Sequence, residues 1–244
     1  MNPSFAAGLP FPIALEHYMP AATRNFVAEF IGTFALVFIG GGSIMMAGAA
    51  NHAGLLTVAL AHGITLGVMV SATMHVSGGQ LNPSITLGLL AARRIPALMA
   101  VVHIAAQILG AVAAAYMLKA SFPALVVTAS RVGGQAVAAE TSTGHAILLE
   151  AIATFFLMFV VFGAAVVGKT PKMAGLLVGL TITADILSIG PLTGGSMNPA
   201  RSFGPALVSG VWEGQMIYWI GPIVGAVLAA LIWEHVLVDK TPRP

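Results

Sequence analysis

The chain has 244 residues, is 58% hydrophobic and only 7% charged, and carries a net charge of +2. Soluble domains hold about 25% charged residues, so this chain cannot cover a water-facing surface, and with a mean hydropathy of +0.95 the solvent that fits is a bilayer. The small net charge gives no reason to expect nucleic acid, and the lack of cysteine excludes disulfides, thiol nucleophiles and thiolate metal sites.

Residues 1–23 read as an irregular cytoplasmic tail. The first twenty hold Pro3, Pro10, Pro12 and Pro20 but no Lys or Arg, which fits neither a signal peptide nor a helix. Six apolar stretches follow, at 25–47, 54–75, 97–118, 145–167, 173–190 and 214–236. Each is near the ~20 residues that cross a hydrocarbon core as helix. Arg24, Arg93 and Arg94, Lys169 and Lys172, and Lys240 and Arg243 sit in breaks that six spans place on one side; the opposite loops offer Lys119 and Arg131. The positive-inside bias predicts cytoplasmic termini, and the expected location is a cell membrane, plasma or inner.

Two apolar stretches are too short to span, 82–92 and 198–208. Each begins Asn-Pro after a Gly-Gly turn. Asn is a good N-cap and Pro is favoured at the first helical position. Helices of about ten residues are roughly 15 Å long, half a core. One entering from each side would bring two N-termini together at the midplane.

The chain also repeats itself. "SGGQLNPS" (Ser77–Ser84) matches "TGGSMNPA" (Thr193–Ala200), and "AEFIGTFALVF" (Ala28–Phe38) matches "LEAIATFFLMF" (Leu149–Phe159), aligning Glu29 with Glu150. The predicted organisation is a first repeat over 24–118, an extracellular connecting loop over 119–144, a second repeat over 145–237 and a cytoplasmic tail over 238–244. Three spans per half force the second copy to insert upside down, an inverted repeat whose broken helices mark the site. The expected fold is all-α: six transmembrane helices and two half-helices in a three-plus-three inverted repeat.

Paired Asn-Pro half-helices in such a repeat resemble the aquaporin (major intrinsic protein) family, over about residues 24–237. The resemblance implies a homotetramer with one pore per subunit. Asn2-Pro3-Ser4 repeats one tripeptide but precedes no apolar stretch. The half-helix N-termini, Asn82-Pro83-Ser84 and Asn198-Pro199-Ala200, carry partial positive charge. Facing each other in a pore, they oppose cations and protons. Each Asn side chain caps its helix and keeps an NH2 group to donate to passing water. Ser84 stands where the family usually has Ala, and Gln80 where many relatives have His.

Arg201 sits one turn into the second half-helix with no acid beside it. Intramembrane charges mark pathways, so it is expected to face a watery lumen. Carried over from the resemblance, His62, Ile186 and Gly195 complete an aromatic/arginine-type selectivity filter; the plainer reading of His62 is a satisfied core histidine. The set His, Ile, Gly, Arg is similar to a plant tonoplast subgroup that passes water and ammonia. Ser202, Ala206, Tyr218 and Trp219 match water channels rather than glycerol facilitators. Glu29 and Glu150 are either proton carriers or acceptors for the N–H groups of the re-entrant loops, and repeat symmetry favours the second. Asp185 has no repeat partner. His75 either lines the inner mouth or caps its span. Loop 119–144, with Arg131 and Gln135, is placed to fold over the outer mouth and add a polar contact.

No nucleophile–base pair or metal cluster suggests an enzyme, and no cofactor is implied. The sequence predicts a passive channel for water, with ammonia or another small neutral solute as second cargo, excluding protons and ions. The alternatives are a glycerol facilitator, or an ion-coupled transporter using Glu29, Glu150 and Asp185.

Overall fold

The computed structural model describes residues 20–50, 54–168 and 171–239. The tail over residues 1–19 with its Asn2-Pro3-Ser4, and Lys169, Lys240 and Arg243, lie outside the described residues. Every regular element among those residues is helical: α1 (Ala21–Ala50), α2 (Leu55–Thr73), α3 (Pro83–Ala91), α4 (Ala97–Ser121), α5 (Ala124–Ala129), α6 (Thr143–Val161), α7 (Ala174–Thr193), α8 (Pro199–Ser209) and α9 (Ile217–Ile232). The boundaries follow the punctuation of the chain. Pro96 precedes α4, the Ser142 hydroxyl caps α6, and Gly194 and Gly210 end α7 and α8 in the left-handed conformation. Six helices are long and apolar enough to cross a membrane, while α3 and α8 have 9 and 11 residues.

The six spans bury only 33–44% of their most apolar windows. Ile64, Leu98, Phe156 and Leu228 point outward, more than half exposed. Polar side chains do the reverse: Glu29, Glu150, Gln107 and Arg201 are almost wholly buried. This inverted distribution is what a lipid solvent selects, because polar groups in hydrocarbon must find internal partners.

Packing obeys the pseudo-twofold. α1 lies along α4 as α6 lies along α9, α2 meets α7 across the axis, and each half-helix rests on the last span of the other half, α3 on α9 and α8 on α4. Small residues make the close approaches. The space a Cβ on Gly110 would need is taken by the Phe30 carbonyl, and that on its counterpart Gly225 by the Ala151 carbonyl. Likewise α3 lays Gly88 on the Ala226 backbone, and α8 lays Gly204 on that of Ala111.

Candidate pore and selectivity site

Both re-entrant loops enter through left-handed glycine pairs, Gly78–Gly79 (φ 91° and 59°) and Gly194–Gly195 (82° and 57°). Leu81 and Met197 follow at φ 53° and 52°, a state uncommon outside glycine. The kink turns consecutive N–H groups towards one point, a small anion-binding concavity. A carboxylate fills each. Glu29 Oε1 accepts from the Ser77 hydroxyl (2.6 Å) and Gln80 N–H (2.9 Å), and Oε2 from Leu81 N–H (2.6 Å) and Gln107 Nε2 (2.8 Å). Glu150 Oε1 accepts from the Thr193 hydroxyl (2.8 Å) and Ser196 N–H (2.9 Å), and Oε2 from Met197 N–H (2.7 Å). Both acids are fully buried, and their oxygens are occupied by loop donors, joined at Glu29 by Gln107 of α4.

The loops deliver Asn82 and Asn198 to the N-caps of α3 and α8, with Pro83 and Pro199 at the first helical positions. Asn82 Oδ1 accepts from Ser84 N–H (2.9 Å), and Asn198 Oδ1 from Ala200 and Arg201 N–H (3.1 and 3.2 Å). The amide groups then cross. Asn82 Nδ2 donates to the Met197 carbonyl at 2.8 Å, and Asn198 Nδ2 to the Leu81 carbonyl at 2.9 Å. The sequence predicts free NH2 groups on both. Each instead commits one hydrogen across the centre and keeps one. Ser84 and Ala200 are both buried, and the Ser84 hydroxyl has no partner.

Arg201, 2% exposed, lies just beyond. Its Nε and Nη2 donate to His62 Nε2 at 3.2 and 3.1 Å, and Nη2 also to the Gly133 carbonyl at 3.0 Å. Nη1 has no partner. His62 Nδ1 is 2.8 Å from the Val58 carbonyl, which calls for a proton on Nδ1 and leaves Nε2 as the acceptor the guanidinium needs. His62 is thus a neighbour of Arg201 rather than a detached core histidine. Ile186 packs on Gly195, where a Cβ would lie 3.3 Å from Ile186 Cγ1. His62, Ile186, Gly195 and Arg201 line one narrow cavity with Asn82 and Asn198, and Leu36, Leu66 and Ile182 form its apolar wall. It leaves ≈ 10 Å³ for the centre of a water, room for about one molecule.

Several residues sit elsewhere than the sequence suggested. The polar contact from the connecting loop is the Gly133 carbonyl; Arg131 instead approaches Glu213 at 3.8 Å, and Gln135 is buried against Gly194. His75 is exposed and outside the inner cavity. Asp185 is partly buried with one oxygen unpartnered. Sequence reasoning missed a buried network below Asn82: His103 Nδ1 lies 3.0 Å from Gln80 Oε1, which also accepts from the Thr86 hydroxyl at 2.6 Å, and Gln107 Nε2 donates to Thr86 at 3.0 Å. The available signal was His103 and Gln107 four apart on one face of an apolar helix.

Comparison with known proteins identifies relatives over nearly the whole chain. The family model described as "Major intrinsic protein" matches residues 16–233. "Aquaporin TIP4-4" of Zea mays is 44% identical over 240 residues, covering 93% of each chain. "Probable aquaporin TIP3-2" of Arabidopsis thaliana is 40% identical over 96% of this chain and 91% of its own. Among solved structures, the aquaglyceroporin from Plasmodium falciparum superposes with a TM-score of 0.78 at 23% identity, over 88% of this chain and 97% of its own, a likeness of fold. With matches that run through both half-helices and nearly all of each partner, the chain belongs to the major intrinsic protein family.

Proposed function

We propose that this chain is a passive water channel whose selectivity is set by His62, Ile186, Gly195 and Arg201. The observation that carries it is the crossed Asn82–Met197 and Asn198–Leu81 bonding. It holds two helix N-termini against each other beside a cavity with room for about one water. Donors and positive dipole ends meet at that centre, so a water turns its oxygen towards it and breaks the proton wire. The TIP and aquaporin names of the relatives support water as cargo. The filter, apolar on the Ile186 side, supports ammonia or another small neutral solute beside it. The oxygens of Glu29 and Glu150 are occupied by buried donors, and Asp185 does not line the cavity at the two Asn-Pro motifs, which argues against the transporter alternative. Family kinship supports a homotetramer in a lipid bilayer. The chain is a multi-pass integral membrane protein. The distribution of Lys and Arg supports cytoplasmic termini, whereas the TIP-type relatives do not fit the plasma membrane expected from the sequence. No catalytic machinery is needed, and the protein is a channel rather than an enzyme.

Reconstitution into vesicles and stopped-flow light scattering test the proposal. Water flux should exceed that of empty vesicles, without a proton gradient and without dissipating one. Flux no greater than that of empty vesicles from folded protein would refute it.

A further inference from the structure

The polar network below Asn82 borders a cavity of ≈ 460 Å³ at the inner mouth, lined by Asn25, Ser77, Gln80, Arg94 and His103 among others. His103 is 1% exposed, and each ring nitrogen meets a side-chain amide. On one side Gln80 Oε1 takes a bond from Nδ1 while accepting from Thr86. On the other stands Asn25, whose amide has two orientations. In one, its Nδ2 meets His103 Nε2 at 3.3 Å, but its oxygen then lies against the carbonyls of Ala21 and Val76. In the other, its nitrogen donates to those carbonyls at 3.1 and 2.8 Å, and its oxygen calls for a proton on Nε2. With both amides best satisfied, both ring nitrogens donate, which is the bonding pattern of an imidazolium.

When the proton leaves, one amide has to turn. Turning Asn25 costs two bonds to backbone carbonyls. Turning Gln80 costs one, from Thr86, whose hydroxyl keeps the Asn82 carbonyl at 3.1 Å. Gln80 is therefore the group that moves. It also lines the pore below Asn82, where its Nε2 lies near Gly78. Turned over, it presents its oxygen there instead. The other ionisable groups around His103 are Glu29 on α1, its oxygens filled by four donors, and Arg94 before α4, paired with Glu234 at 2.7 Å.

We propose that His103 is a proton-binding site that sets whether Gln80 offers a donor or an acceptor to water in the inner half of the pore. Positive helix ends and Asn amides at the midplane orient inner-half waters with hydrogens pointing inward. Those waters need acceptors on the wall. A Gln80 oxygen supplies one; a Gln80 NH2 beside an imidazolium opposes them. Acid at the inner mouth lowers water flux.

The inference rests on the water-channel reading, and one experiment separates the two. Water flux is measured in proteoliposomes across the imidazole range, about pH 5 to 8, with an expected fall of roughly threefold towards acid. Flux no greater than that of empty vesicles at every pH would sink the channel reading; flux above that level but flat with pH overturns this inference alone. His103→Gln should be flat, and so should Gln80→Leu, which keeps the histidine and removes its reader; the parental slope in either overturns the proposal. The exposed pair His75→Gln and His235→Gln should retain the slope, and its loss there would place the sensor elsewhere.

Discussion

Glu150→Ala takes the acceptor from three buried donors at once: the Thr193 hydroxyl and the Ser196 and Met197 N–H groups, at 2.8, 2.9 and 2.7 Å. A hydrogen bond to a charged group contributes about 1.5–3 kcal/mol, so the gross loss is roughly 5–9 kcal/mol, reduced wherever pore water reaches the orphaned donors. Glu150→Gln keeps one acceptor oxygen and sets an NH2 against a backbone N–H, for a loss of about 2–4 kcal/mol. At about 2–4 °C per kcal/mol for a chain of this size, thermal unfolding in detergent, followed by intrinsic fluorescence, should fall by more than about 10 °C for Ala and by about 4–16 °C for Gln. Folded Glu150→Gln should still pass water, because the carboxylate shapes the loop and handles no cargo. Glu150→Ala melting with the parent would refute the structural role. Glu150→Gln with parental melting but no flux would show that the acid acts in transport.

Arg201→Ala should open the filter to glycerol and weaken cation exclusion, with the half-helix dipoles still limiting proton leak; parental selectivity in a conducting variant would remove Arg201 from the filter. His62→Phe deletes the acceptor for Arg201 Nε and Nη2 and adds ring volume, so ammonia flux measured by internal pH change should fall more than water flux. Gly225→Val drives a side chain into the Ala151 carbonyl and should part α9 from α6, lowering the yield of folded protein on size-exclusion chromatography. The chain has no cysteine, so thiol-reactive mercurials should leave water flux unchanged.

What the sequence discloses here divides along a physical line. Spans, half-helices and repeat follow from hydropathy length, N-cap chemistry and self-similarity, all local along the chain. The placement of Arg201 near His62 was legible only through the family resemblance, because the two residues lie 139 positions apart. The crossing of Asn82 and Asn198 was not legible, because each donates to a carbonyl more than 110 residues away. Its acceptors are made available by left-handed Leu81 and Met197, residues that carry no turn signature. The Gly133 carbonyl was hidden for the same reason: backbone groups have no letter. His103 had a letter, but its meaning depends on Gln80 and Asn25 arriving from two other elements.

The crossed amides also constrain the order of events during synthesis. After α4 has entered the membrane, Asn82 and the Leu81 carbonyl still lack their opposite numbers, which arrive only with Met197 and Asn198. The surface on which α3 rests comes later still, because α9 follows α8 and is the last of the described spans. The first half of the nascent chain therefore waits in the bilayer with its polar loop held by Glu29 but its tip unlatched. Completion of the pore is a late act of biogenesis, closed from both sides at once, and a ribosome that stops early leaves an exposed seam for quality control to read.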